Sequence, residues 1–123
     1  MVRCLIVDDS PVFLAAAGEL LRHQGVTVVG VAADSGEALR EAERVRPDVA
    51  LVDLDLGSES GLELAERLHG RSLPTILIST HSEQDYRELI ATSPAIGFLP
   101  KASLSGRAIT HLLDTAVTAP PER

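Results

Sequence analysis

The 123 residues predict a doubly wound α/β domain, with a five-stranded, mostly parallel sheet covered by helices on both faces. Three observations carry that reading. Short apolar runs alternate five times with stretches of helical period. The runs are apolar nearly throughout rather than at every second position, as suits strands buried on both faces. Most helical stretches also carry start or stop signals in the form of caps, Gly or Pro.

Each element follows from its residues. Residues 3–8 read as the first strand, and Asp9-Ser10-Pro11 opens a helix with proline where its missing N–H costs nothing. Phe13, Ala16, Ala17, Leu20 and Leu21 recur at helical spacing and are expected on its buried face, with Gly25 as the stop. Val26 to Ala32 is a β-branched second strand, expected at an edge. Asp34 and Glu37 form a capping-box pattern for a helix burying Ala38, Leu39, Ala42 and Val45, which Pro47 ends. Asp48 to Asp53 is the third strand, followed by a loop through Gly57. Ser60-Gly61-Leu62-Glu63 repeats the capping pattern for the third helix. Pro74 introduces a fourth strand ending at Ser79. Ser82 and Asp85 mark a fourth helix start, with only a thin stripe of Tyr86, Leu89 and Ile90. A fifth strand through Pro100 leads to a closing helix that buries Ile109, Leu112, Leu113, Ala116 and Val117. Residues 1–117 are read as one domain and 118–123 as a tail or linker stub.

Composition narrows the function. Eighteen acidic against eleven basic residues give a net charge of −7, which disfavours direct nucleic-acid binding by this segment. Three aromatic residues, Phe13, Tyr86 and Phe98, leave no platform for stacking bases or sugars. The single cysteine, Cys4, lies in an apolar run and reads as a small buried hydrophobe. No apolar stretch reaches membrane-spanning length and no signal peptide is visible, so a cytoplasmic protein without membrane contact is expected.

The strand ends carry the chemistry. The first runs into Asp8-Asp9, the third into Asp53, the fourth into Ser79-Thr80 and the fifth into Lys101, the only lysine of the chain. Right-handed crossovers bring the C-terminal ends of parallel strands to one edge, where ligands bind in open α/β sheets. Carboxylates crowded there repel by roughly 4 kcal/mol per pair at 4 Å and an effective dielectric near 20. Either their pKa values rise or a cation sits among them, and an incomplete cage of oxygen ligands suits Mg²⁺. A carboxylate can attack phosphorus covalently, while a metal and a lysine neutralise the transferring group. Singly, each motif is weak: Asp-Asp can be a capping turn, Ser79-Thr80 ordinary strand termination, and Lys101 a surface lysine. Ser79 is preferred over Thr80 for its register with Asp53 and Lys101.

Leu5-Ile6-Val7-Asp8-Asp9-Ser10, Asp53 with Gly61 eight residues on, Pro74 to Ser79, and Gly97-Phe98-Leu99-Pro100-Lys101 together resemble the receiver domain of bacterial two-component response regulators. The likeness covers essentially the whole chain and is greatest to CheY-like receivers of the NarL/FixJ type. It implies the flavodoxin-like strand order 2-1-3-4-5. It further implies Asp53 as phosphoacceptor, Asp8 and Asp9 as Mg²⁺ ligands with the backbone carbonyl of Asp55, and Lys101 contacting the phosphoryl group. Ser79 would be the switch hydroxyl, Phe98 the ring that reorients, and Asp55 and His81 residues that tune the phosphoryl lifetime. A sensor histidine kinase is the implied donor, with a phosphorylation-dependent homodimer as a further possible partner. The switched surface would comprise the fourth helix, fifth strand and fifth helix. On this reading the chain is a signalling switch and not an enzyme. The alternative is the N-terminal receiver of a helix-turn-helix DNA-binding regulator. Two positions depart from the commonest pattern: Ala102 replaces a frequent proline after the lysine, and Gly57 replaces another in the loop after Asp53.

Overall fold

A computed structural model describes residues 1–81 and 83–118. Ser82, expected to start a helix, and residues 119–123 of the expected tail lie outside the described residues. The elements are β1 (Arg3–Val7), α1 (Pro11–His23), β2 (Thr27–Ala32), α2 (Ser35–Val45) and β3 (Val49–Asp53). They continue with α3 (Gly61–His69), β4 (Thr75–Ser79), α4 (Arg87–Ala91), β5 (Gly97–Pro100) and α5 (Gly106–Thr118). The five strands form one parallel sheet in the order β2-β1-β3-β4-β5. This is the expected doubly wound, flavodoxin-like topology, with β2 at an edge.

The anticipated caps fall into place. Ser10, Asp34 and Ser60 each accept a hydrogen bond from the third residue onward, Phe13, Glu37 and Glu63 respectively. Glu37 reaches back to the amide of Ala33 at 2.7 Å, so both ends of that turn are satisfied.

Alternate strand residues feed two cores. Leu5, Val7, Ala50, Val52 and Leu77 pack with Ala38 and Leu39 of α2 and Leu64, Ala65 and Leu68 of α3. Cys4, Ile6, Val49, Leu51, Ile76 and Ile78 pack on the other face with Ala17 and Leu21 of α1 and Ile109 of α5. Burial on both faces explains why the strands read as unbroken apolar runs. It also pushes the Cys4 thiol pKa up to about 12, leaving an unreactive core residue.

Four details depart from expectation. In α1 the buried residues are Ala17, Gly18 and Leu21, while Ala16 is exposed and Leu20 is 39% exposed. A helix lying on one sheet buries a narrow stripe, and the Ala16–Leu20 row lies on its outer flank. In α5, Ala116 is likewise exposed. The loop after β3 contains an antiparallel ribbon pairing Asp55–Leu56 with Glu59–Ser60. Its turn requires Gly57 at φ +66°, a left-handed conformation that glycine adopts without a Cβ penalty. The α4 region is a 3₁₀ turn over Glu83–Tyr86 followed by five α-helical residues, none of them buried.

Candidate functional site

The carboxyl edge of the sheet is assembled by the strand ends. Asp8 continues the β1 ladder by donating its N–H to the Ala32 carbonyl at 3.0 Å, which keeps its side chain fully buried. Asp8 Oδ1 accepts from the Ser10 amide at 2.9 Å, and the Ser10 hydroxyl accepts from the Phe13 amide at 3.2 Å. That turn leaves Asp9 exposed at the rim. Asp53 is the last residue of β3 and is 6% exposed. Its Oδ1 accepts from the Asp55 amide at 3.1 Å and its Oδ2 from Lys101 Nζ at 3.1 Å. Gly61, at the start of α3, lies directly on this strand end. A Cβ built there would stand 2.0 Å from the Asp53 carbonyl oxygen.

Lys101 follows β5 and reaches two carboxylates, with Nζ 2.6 Å from Asp8 Oδ2 and 3.1 Å from Asp53 Oδ2. Burial pulls the ammonium toward neutrality, but the Asp8 and Asp53 carboxylates outweigh it and hold the lysine pKa above its usual value. For Asp53 the balance is opposite. Burial raises its pKa, the Asp55 amide and Lys101 lower it, the Asp8 charge raises it, and the net direction is upward.

One oxygen from each of Asp8, Asp9 and Asp53 lies within 4.8 Å of the others. Three carboxylates against one ammonium leave two negative charges uncompensated. Asp8 Oδ2 is in ion-pair contact with Lys101, yet it is fully buried with no donor aligned for a hydrogen bond. An all-oxygen donor set with one exposed member fits a hard divalent cation such as Mg²⁺, which keeps several of its waters. Among the described residues no other acidic, His or Cys cluster has this geometry.

Ser79 ends β4 beside β5, opposite Pro100, and is buried, whereas Thr80 is exposed. The Ser79 hydroxyl accepts from the His81 amide at 3.0 Å and lies 3.4 Å from the His81 ring Nδ1. That ring meets Tyr86 edge-on, with centroids 5.8 Å apart. Phe98 is half-buried against the core shared with Tyr86 and Ile90. The Asp55 side chain is exposed, and its contact with Asp53 is made by its backbone N–H.

Two residues of the site were not legible as such. Phe13 reads as helix core, yet its ring centroid lies 4.3 Å from Lys101 Nζ. The available signal was its place on the first turn of the helix that follows the acidic pair. The steric demand at Gly61 depends on how closely α3 approaches β3, which one chain segment does not disclose.

The fold and site define a receiver-type α/β domain. The chain belongs to the response regulator receiver domain family, whose model matches residues 4–113. It is similar to the DNA-binding transcriptional activator EvgA of Escherichia coli K12, at 28% identity over 102 residues. That match covers 81% of this chain and 50% of EvgA, so the chain spans about half the length of this relative. It is also similar to protein-glutamate methylesterase/protein-glutamine glutaminase 1 of Syntrophus aciditrophicus, 36% identical across 87% of this chain and 32% of that protein. Among solved structures, the receiver domain of the putative response regulator NarL from Mycobacterium tuberculosis superposes with a TM-score of 0.80. It shares 32% identity and the match covers 96% of this chain and 98% of that one. Family relatives thus include a DNA-binding activator and an enzyme. No helix among the described residues is long and apolar enough to cross a membrane.

Proposed function

We propose that residues 1–117 are a phosphoacceptor receiver that takes a phosphoryl group from a sensor histidine kinase onto Asp53. The observation that carries this is the contact of one half-buried ammonium, Lys101, with two strand-end carboxylates, Asp8 and Asp53, at 2.6 and 3.1 Å. An Asp53 carboxylate oxygen attacks the phosphorus of a phosphohistidine in line. A P–O bond forms, the P–N bond breaks, and the imidazole leaves with the bonding pair and takes up a proton. Lys101 stands where negative charge collects on the phosphoryl oxygens, a contribution that preorganised charge makes best in a water-poor site. Asp8, Asp9 and Asp53, with the backbone carbonyl of Asp55, would hold Mg²⁺, which when bound neutralises phosphoryl charge.

The aspartyl phosphate adds about −1.5 to −2 charges beside Ser79. Its new oxygens are better acceptors than anything now facing the Ser79 hydroxyl, which draws that hydroxyl away from His81. Phe98 then turns inward, and the surface of α4, β5 and α5 changes. The short α4, with no buried residue, is an element that shifts at little cost. That surface would serve output or a phosphorylation-dependent homodimer. Asp55 and His81 tune the lifetime of the phosphoryl group, and the protein acts as a cytoplasmic switch whose only chemistry is on itself.

The second reading is that the chain is the N-terminal receiver of a helix-turn-helix transcriptional regulator. It is favoured by the half-length match to a DNA-binding activator, with residues 118–123 as the linker stub. The sequence encoded after Arg123 decides it.

The test is incubation with a small acyl phosphate and Mg²⁺, read by intact mass. Gain of one phosphoryl mass is expected in the native chain and no gain in Asp53→Ala or without Mg²⁺. Absence of labelling where another receiver is labelled in parallel would overturn the reading.

A further inference from the structure

Resting on the phosphoacceptor reading, we propose that Phe13 is a positioning residue whose ring holds the Lys101 ammonium against the Asp8 and Asp53 carboxylates. Lysine is poorly suited to staying in place, being a strongly hydrated point charge on a flexible four-carbon stem with three donors. Here its Nζ has Asp8 Oδ2 at 2.6 Å, Asp53 Oδ2 at 3.1 Å and the Phe13 ring centroid at 4.3 Å. The Lys101 side chain is 15% exposed. Two carboxylates and a π face therefore occupy much of the space that water fills around a free ammonium.

The ring is itself fixed. Phe13 packs half-buried against the core shared by α1 and α5, and its amide is held by the Ser10 hydroxyl. Ser10 in turn donates its own amide to Asp8 Oδ1 at 2.9 Å. One turn thus aims both the Asp8 carboxylate and the ring at the same ammonium. An aliphatic side chain could pack along the lysine stem equally well. It would offer no quadrupole to the charge, leaving the two carboxylates alone to hold the ammonium and its position less sharply fixed.

The single lysine makes this measurable in the whole chain. With ¹³C-lysine as the label, NMR of the native protein gives one side-chain spin system. Its ε-methylene protons should be shifted upfield by the ring, retained in Phe13→Tyr and lost in Phe13→Leu. Labelling by acyl phosphate and Mg²⁺ should be about three- to tenfold slower in Phe13→Leu and within about twofold of native in Phe13→Tyr. A purely structural phenylalanine makes the contrary prediction, because leucine conserves the apolar packing and the added hydroxyl of tyrosine does not.

Equal labelling of native and Phe13→Leu protein overturns the proposal and leaves the phosphoacceptor reading intact. So does Phe13→Tyr behaving like Phe13→Leu, or a native lysine signal without the upfield shift. A native chain that is not labelled at all removes the phosphoacceptor reading and this proposal with it. Thermal melts of each variant identify any that fails to fold, and the native NMR signal then still decides.

Discussion

Lys101 and Asp8 meet at 2.6 Å between Nζ and Oδ2, although one follows the fifth strand and the other the first. The contact spans the centre of the sheet edge, because β3 and β4 lie between β1 and β5. It gives the acidic pocket its internal cation and sets the electrostatic consequences below.

Asp53 is held in its charged form at a cost, since burial and Asp8 raise its pKa in the fold. A carboxyl with a raised folded pKa stabilises the fold most below its unfolded pKa, and that contribution disappears as pH rises through the folded value. Asp53→Asn should therefore melt a few degrees higher than native protein at pH 7, with the gain shrinking toward pH 4. Parallel melting curves across that range test it, and a pH-independent difference would contradict it.

Removing the cation should do the reverse. Lys101→Met leaves Asp8 and Asp53 buried and uncompensated, and breaking such a pair costs about 3–5 kcal/mol in a dry interior. The rim is open at Asp9, so water and protonation relieve part of this, and a loss of about 1–3 kcal/mol at pH 7 is expected. The deficit should lessen on acidification, and labelling should fall at least tenfold, by about 1.4 kcal/mol or more in the barrier. Chemical denaturation at two pH values and mass-based labelling are the measurements.

Gly61 has no room for a side chain. A methyl there would sit 2.0 Å from the backbone oxygen of Asp53, which no rotamer change can relieve. Gly61→Ala should cost about 3 kcal/mol or more and displace the strand end that bears Asp53. Denaturant unfolding should show a lower midpoint, and acyl phosphate labelling should slow even where the protein remains folded.

Ser79→Ala separates stability from switching. The lost bond to the His81 amide lies next to an exposed residue that water can reach, so about 0.5–1 kcal/mol is expected. Labelling of Asp53 should persist, while the phosphorylation-dependent change in the α4 and β5 amide signals by NMR should be greatly reduced. Full retention of that change would remove Ser79 as the switch hydroxyl.

The parallel sheet, the caps at Ser10, Asp34 and Ser60, and the strand-end positions of Asp8, Asp53 and Ser79 were legible along the chain, while the strand order came from the resemblance to receiver domains. Helical period, apolar runs and capping residues are local properties, and parallel topology carries strand ends to one edge. The two-residue strands of the ribbon after Asp53 were not legible, since they are shorter than any period. The Phe13–Lys101 contact and the demand at Gly61 were also hidden, because each depends on how closely α1 or α3 packs against a strand end.

The amino-acid order by itself determined the alternation of strands and helices, and with it a sheet edge bearing acid, hydroxyl and ammonium. Tertiary packing decided which oxygens the lone ammonium touches and which ring lies over it. These are angstrom-scale relations between segments far apart in the chain, set by the closeness of packed elements rather than by any local preference of their residues.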